Sequence, residues 1–326
     1  MTRPPILVTG GAGFVGSHTC KALARAGFQP IVYDDLSNGV ADAVRWGPLE
    51  VGALADTARL AAIVDRYRPA AIIHFAAFIE AGVSVRQPGR FYENNVAGTL
   101  SLLRVMEQAG IDRIVFSSTA AVYGDPQHIP IGEDHPLRPV NPYGRTKLMV
   151  EDILADLAAA HGLRAVMLRY FNASGADPDG ELGENHQPET HLIPLVLRAA
   201  LGLGPEIAVF GFDYDTPDGT CIRDYVHVAD LADAHVLALR RLLEDGAGLT
   251  ANLGTGRGFS VLEVVGAVEA VTGRPVPLRR AGRRPGDPAI LVADNRLALA
   301  GLGWRPRFTD ISDHIRHAAA WMRARS

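Results

Sequence analysis

The chain of 326 residues has only two cysteines, Cys20 and Cys221, far apart in sequence. Two isolated thiols supply neither a disulfide framework nor a cysteine-based metal or redox motif, and they suit a reducing compartment, so a cytoplasmic protein is expected. Charge of one sign is lacking too. The 32 Lys and Arg stand against 36 Asp and Glu, for a net charge of −4. That balance gives no reason to expect nucleic acid or an anionic membrane as a partner. No apolar run is long enough to span a bilayer. A strand pattern begins almost at once, which leaves no room for a signal peptide. Internal repeats and low-complexity tracts are absent. The remaining composition, 48% hydrophobic and 21% charged, is that of a globular protein with one large domain or two modest ones.

What is present begins at the amino end. Ile6-Leu7-Val8-Thr9 runs into Gly10-Gly11-Ala12-Gly13-Phe14-Val15-Gly16, and a helical pattern follows. A buried strand that ends in a glycine turn and opens a helix predicts a dinucleotide site. Gly10 and Gly11 permit the turn, Gly13 lets the backbone approach a pyrophosphate, and Gly16 lets helix and strand pack closely. The unpaired first amides of the helix favour phosphate. A second strand at 31–33 ends in Asp34-Asp35. An acidic side chain there accepts hydrogen bonds from an adenosine ribose and repels a 2′-phosphate, so NAD is expected in preference to NADP.

Apolar strand runs at 6–8, 31–33, 71–75, 114–117 and 165–169 alternate with helical patterns near 17–25, 57–67, 94–109 and 142–160. This alternation predicts an α/β fold with a doubly wound parallel sheet of Rossmann type. Past Asn172 the texture changes. Residues 173–189 read as a long loop, a helix follows near 192–200, and 213–224 is polar. Residues 225–228 resemble a strand, and 279–288 is basic and Pro-rich. These segments predict a smaller mixed α/β substrate domain. The expected division is 1–172 plus about 222–256 for the cofactor, and 173–221 plus about 257–326 for the substrate. The carboxyl-terminal pattern through Ile311, Ile315, Ala318 and Trp321 reads as a packed amphipathic helix.

Chemistry enters at Tyr143 and Lys147, four residues apart and so on one helical face. Pro142 suits the first helical position and Asn141 its N-cap. An ammonium beside a phenol is expected to lower the Tyr143 pKa towards neutrality and make it a general base. The strand ending at Ser117-Ser118-Thr119 offers hydroxyls at the sheet edge where ligands bind, and Thr119 is placed to relay a proton to Tyr143.

Several segments together resemble one family across nearly the whole chain. They are 10–19 (GGAGFVGSHT), 34–38 (DDLSN), 74–77 (HFAA), 94–96 (NNV), 117–124 (SSTAAVYG), 141–147 (NPYGRTK) and 168–175 (LRYFNASG). Further along come 218–220 (DGT), 223–228 (RDYVHV), 252–254 (NLG) and 283–287 (RRPGD). The chain resembles the UDP-glucose 4-epimerases of the extended short-chain dehydrogenase/reductases. The resemblance implies a resident NAD, with Thr119, Tyr143 and Lys147 catalytic. Tyr143 takes the proton of the sugar 4-hydroxyl through or beside Thr119, carbon 4 yields hydride, and the 4-keto sugar turns over before hydride returns. It implies cofactor contacts at Gly10, Gly13, Phe14, Val15, Gly16, Asp34, Asn38, Leu54, Phe75, Ala76, Asn94, Ser117, Tyr143, Lys147 and Tyr170. UDP-sugar contacts are implied at Thr119, Asn172, His191, Leu192, Phe210, Arg223, Arg284 and Asp287, and so is a homodimer through the helices at 94–109 and 142–160.

Three positions depart from the family pattern. Ala53 stands where an Asp commonly accepts from the adenine amino group, which implies weaker NAD retention. Ile79 replaces a cofactor-contacting Lys, and His191 an Asn that meets the nucleotide. Within the fold, dehydratases and decarboxylases need carboxyls where this chain has Ala120 and Ala121, and methyl groups move no protons. A non-catalytic NAD-binding scaffold would be expected to lose the Tyr/Lys pair. UDP-pentoses and UDP-uronates remain alternative substrates. Leu291, at a position implied to set pocket size, is expected to disfavour an N-acetyl group. No metal site is expected, because His186 and His191, like His314 and His317, have no carboxylate or cysteine at evident ligand spacing.

Overall fold

The computed structural model describes residues 3–244, 246–284 and 286–325. Met1, Thr2, Asp245, Pro285 and Ser326 lie outside the described residues, so Pro285 of the basic motif at 283–287 is not placed.

The strand Pro5–Thr9 is the pivot of a seven-stranded parallel sheet. On one side it pairs with Gln29–Asp34, which pairs with Leu49–Val51. On the other it pairs with Ala71–His74, followed by Arg113–Thr119, Arg164–Tyr170 and Leu249–Leu253. The chain thus leaves Pro5–Thr9 in one direction and resumes on its opposite flank, which opens a crevice at the carboxyl ends of the strands. The strand runs at 6–8, 31–33, 71–75, 114–117 and 165–169 all fall in this sheet. The structure adds the short edge strand Leu49–Val51, whose three residues are too few to show a period.

Both faces of the sheet are covered, which is why its strands read as unbroken apolar runs. One layer gathers Ile6, Val8, Val115, Val166 and Leu168 against Leu23 and the helix Val228–Glu244. The other gathers Leu7, Ile31, Ile72, Ile114 and Phe116 against Leu60, Leu102 and Leu154. Each such side chain removed from water contributes about 1.5–3 kcal/mol before conformational entropy is subtracted.

Local signals set the helix starts. Asn141 accepts from the Gly144 amide at 2.9 Å and Pro142 opens Pro142–His161. The helix expected at 94–109 is built differently. It starts as a π-helical turn, Tyr92–Ala97, and becomes α-helical only at Gly98–Gln108.

A third apolar cluster lies apart from the large sheet. It packs Leu192–Leu201, Val261–Thr272 and Ile311–Arg323 together, with Ile311, Ile315 and Ala318 buried on the last. Ile222–His227 pairs with Asn172–Ser174, Gly258–Ser260 and Ile290–Leu291 in a four-stranded sheet, and Ile207–Phe210 pairs with Leu278–Ala281. No helix among the described residues is long and apolar enough to cross a membrane.

Candidate active site

A cavity of about 310 Å³ opens at the crevice between Pro5–Thr9 and Ala71–His74 and extends to the loop at 184–191. Two glycines shape its floor. Gly10 has φ +74°, and a Cβ on it would lie 2.5 Å from the Ala76 amide nitrogen. A Cβ on Gly16 would lie 2.2 Å from the Gly10 carbonyl oxygen. Gly13 ends the turn as N-cap of Phe14–Arg25 without a side-chain cap, and no acidic residue occupies the first turn. A helix of this length with uncapped first amides facing a cavity is a phosphate cradle.

Asp34 sits at the next strand end. Its Oδ2 accepts from the Ala12 amide at 3.0 Å and its Oδ1 from Leu36 at 2.9 Å. Burial raises its pKa and these amides oppose the rise. The carboxylate therefore caps its own loop and still faces the cavity with acceptor capacity to spare. The donor set and the shape fit a dinucleotide.

Of the residues expected to touch cofactor or substrate, Gly10, Gly13, Phe14, Val15, Gly16, Asp34, Asn38, Leu54, Phe75, Ala76, Asn94, Thr119, Tyr143, Tyr170, Asn172 and His191 line the cavity. Ser117 and Lys147 stand behind this wall. Ser117 Oγ and the Tyr170 hydroxyl are hydrogen-bonded at 2.8 Å, and Lys147 Nζ donates to the Ser117 carbonyl at 2.8 Å. Leu192 begins its helix beside His191. Phe210, Arg223, Arg284 and Asp287 are outside the cavity lining but associate in pairs. The Arg284 guanidinium lies 3.9 Å from the Phe210 ring centre, and Arg223 is 3.7 Å from Asp287.

The Tyr143 phenol and the Thr119 side chain stand together on the cavity wall. Thr119 Oγ1 accepts from the Ala121 amide at 3.1 Å, which fixes the hydroxyl where the strand breaks into a short 3-10 turn. The expected fall in the Tyr143 pKa is not what this structure holds. Removal from water raises it, the neighbouring Tyr170 adds to the rise, and the adjacent Thr119 hydroxyl opposes it. The physical reason lies with Lys147. Its ammonium is spent on the Ser117 carbonyl and the Phe116 ring face 4.9 Å away, and burial lowers its own pKa to about 7 against the pull of Glu151. A cation half-discharged at neutrality is a weak source of positive potential.

Ala53 keeps its side chain out of the cavity lining, and its carbonyl is occupied by the Tyr33 hydroxyl at 2.8 Å. Ile79 lines the cavity. The histidine reading needs correction. Glu184 and Glu189 do stand beside His186 and His191, because the loop folds back on itself: Glu184 Oε1 is 3.0 Å from His186 Nδ1 and 2.6 Å from His191 Nδ1. His314 is buried in the core and His317 is half-buried beside it. Nδ1 of His314 bonds Ser174 at 2.7 Å, and Nδ1 of His317 is 3.0 Å from His227 Nε2.

Three positioning elements were missed in the sequence. Asn95 clasps both main-chain groups of Phe78 and reaches Thr146 at 3.1 Å, which ties the cavity wall to the Tyr143 helix. His74 bridges Thr9 and Thr99 across the strand ends. Arg169 and Glu151 form a buried ion pair at 2.6 Å behind Lys147. Only the π-helical turn, irregular where a regular helix was expected, marks a functional region from outside.

Fold and site define a Rossmann-type nucleotide-cofactor enzyme with a tyrosine–threonine hydroxyl pair at the cofactor crevice. The family model of the NAD dependent epimerase/dehydratase family matches residues 6–254, and the chain belongs to that family. It is 54% identical over 321 residues to a UDP-glucose 4-epimerase of Rhizobium leguminosarum bv. trifolii, covering 98% of each chain. A crystal structure of UDP-glucose 4-epimerase from Brucella ovis in complex with NAD superposes with TM-score 0.95 at 54% identity, covering 97% of both chains. The UDP-glucose 4-epimerase of Stenotrophomonas maltophila, solved with bound NAD and formylated UDP-arabinopyranose, gives TM-score 0.96 at 43% identity over 99% of each. Relatives this similar over this length make the chain an epimerase.

Proposed function

We propose that the chain inverts carbon 4 of a UDP-hexose, interconverting UDP-galactose and UDP-glucose through a transient 4-keto sugar, with NAD resident in the cavity at the glycine turn. The amides at the start of Phe14–Arg25 and the Asp34 carboxylate would hold the pyrophosphate and the adenosine ribose. NAD, when bound, supplies acceptance and return of hydride. Tyr143 takes and returns the proton of the 4-hydroxyl, and Thr119 hands it over and keeps the phenol aimed. Lys147 would hold the nicotinamide ribose, turning to it from the Ser117 carbonyl, and Asn94, Ser117 and Tyr170 would steady that end of the cofactor.

The sugar nucleotide spans the seam between 1–172 with about 222–256 and 173–221 with about 257–326. Asn172, His191, Leu192, Arg223 and Arg284 would meet the diphosphate and adjacent groups, Phe210 the uracil, and Asp287 the uridine ribose. Arg suits diphosphate because its planar fork matches the oxygens. Leu291 narrows the pocket against an N-acetyl group, a reading that robust turnover of UDP-N-acetylglucosamine would overturn. Two chains pair through the helices at 94–109 and 142–160, where Met149 is 43% exposed; a monomeric mass in solution would count against this. The buried free thiols Cys20 and Cys221 suit the cytoplasm.

The observation that carries the reading is the Thr119 and Tyr143 side chains together on the wall of a dinucleotide cavity, with methyl groups at Ala120 and Ala121 where elimination would need acids. The test is turnover of UDP-galactose by purified protein without added NAD, beside Tyr143→Phe. UDP-glucose formation that the variant loses supports it. Activity only with added NAD assigns the weak retention to Ala53. Silence under both conditions rejects the hexose and moves the assay to UDP-pentoses and UDP-uronates.

A further inference from the structure

The loop before Leu192–Leu201 brings two carboxylates and two imidazoles to one point. Within eight residues of chain, Glu184, His186, Glu189 and His191 each place one ligand atom within 4.8 Å of all the others. Both imidazoles turn Nδ1 inward. Glu184 Oε1 touches each of them, and Glu189 Oε1 lies 3.1 Å from His191 Nδ1.

The carboxylates are deeply enclosed, with side chains 6% exposed for Glu184 and 1% for Glu189. Two buried carboxylates this close repel each other and forfeit hydration, a cost that a cation between them removes. An independent observation points the same way. Glu189 Oε2 is buried with no hydrogen-bond partner among the described residues, while Oε1 accepts from the Thr190 and His191 amides. A buried carboxylate clamped by the main chain through one oxygen keeps the other free to take a cation.

We propose that Glu184, His186, Glu189 and His191 form a binding site for one zinc ion per chain. Two carboxylates balance the charge of a divalent ion while both imidazoles stay neutral. Imidazole nitrogen selects a borderline transition ion over magnesium or calcium, which take oxygen. Four-coordinate zinc holds its ligands at about 2.0–2.2 Å, so adjacent ligand atoms sit roughly 3.4 Å apart. The three contacts at 2.6 to 3.1 Å would have to open by roughly 0.3 to 0.8 Å, within a cluster whose ligand atoms already lie within 4.8 Å of one another. The ion would fasten a loop that lines the cavity through Glu184, His186 and His191 and meets the cofactor helix edge-on at Phe14–His186. Its role is to shape the rim; it takes no part in the proton transfer.

The experiment uses tag-free, full-length protein carrying whatever NAD it retains, stripped with chelator and titrated with zinc chloride, then in parallel with cobalt chloride. One equivalent of zinc and the visible bands of tetrahedral cobalt are expected. Glu189→Gln and His186→Ala, each checked for unchanged circular dichroism, should weaken zinc binding more than about 100-fold. Absence of stoichiometric zinc binding by the wild-type chain overturns the proposal, whatever the variants do. Equal binding by the wild type and both variants overturns it as well.

Discussion

Lys147 Nζ donates to the main-chain oxygen of Ser117 at 2.8 Å, so the ammonium bolts the Tyr143 helix to the strand that carries Thr119. The two hydroxyls of the active site sit on different elements, and this bond fixes their separation. Burial lowers the Lys147 pKa to about 7, whereas in an unfolded chain it is about 10.4. Between those values the unfolded state binds the extra proton. The stability of NAD-free protein should therefore rise as pH goes from about 7 to about 10, and what Lys147 contributes is lost as pH falls through 7. Thermal melts of NAD-free wild type and Lys147→Met across this range test it. The expected outcome is a flatter slope in the variant, and parallel slopes would refute the assignment.

Thr119 is the hydroxyl placed beside the Tyr143 phenol at the cavity wall. Thr119→Val should lower kcat about 10- to 100-fold, the equivalent of leaving such a group unpaired at ~1–3 kcal/mol. Thr119→Ser, which keeps the hydroxyl, should retain most of the activity. Steady-state kinetics on UDP-galactose distinguish this from a packing role, in which serine would be the worse replacement.

Gly16→Ala puts a methyl 2.2 Å from the Gly10 carbonyl oxygen, and that atom is backbone. The turn must open, at about 1–3 kcal/mol for overpacking of this kind. The purified variant should carry less NAD than wild type and unfold at lower urea concentration. Unchanged NAD content, read from the absorbance of the released nucleotide, would show that the turn is looser than its contacts.

Arg169 grips Glu151 through Nε and a terminal nitrogen, and reaches the Tyr123 hydroxyl at 3.0 Å, which in turn donates to Asn252 at 2.7 Å. The network joins two strands of the large sheet, Arg164–Tyr170 and Leu249–Leu253, to the Tyr143 helix. Arg169→Met strands Glu151 without its cation beside Lys147. A loss of roughly 3–5 kcal/mol in urea unfolding is expected, since breaking one side of a buried pair costs more than the pair contributes. A loss under about 1 kcal/mol would mean that water or Lys147 replaces the guanidinium.

Much of this protein was legible before folding. The strand runs at 6–8, 71–75 and 165–169 are apolar except at His74 and Arg169 because both faces of their sheet are covered, and Asn141-Pro142 marked a helix start that the Gly144 amide confirms. Gly10, Asp34, Phe75, Thr119 and Tyr170 of the cavity stand at strand ends, so order along the chain already indicated one crevice. The Glu184–His191 cluster was not legible, because spacing along a loop says nothing about where the loop turns back. Nor was Asn95, whose side chain bonds residues 78 and 146, distant from it in sequence.

The sequence by itself determined the parallel sheet, the glycine cradle, the Asp34 strand end and the hydroxyl pair, since each follows from local backbone geometry or from periodicity over a few residues. Only the tertiary structure decided the charge states. Lys147 is depressed and Tyr143 raised because burial removes water from both, and Lys147 spends its ammonium on Ser117. Desolvation depends on everything packed around a group, and no stretch of sequence carries that information.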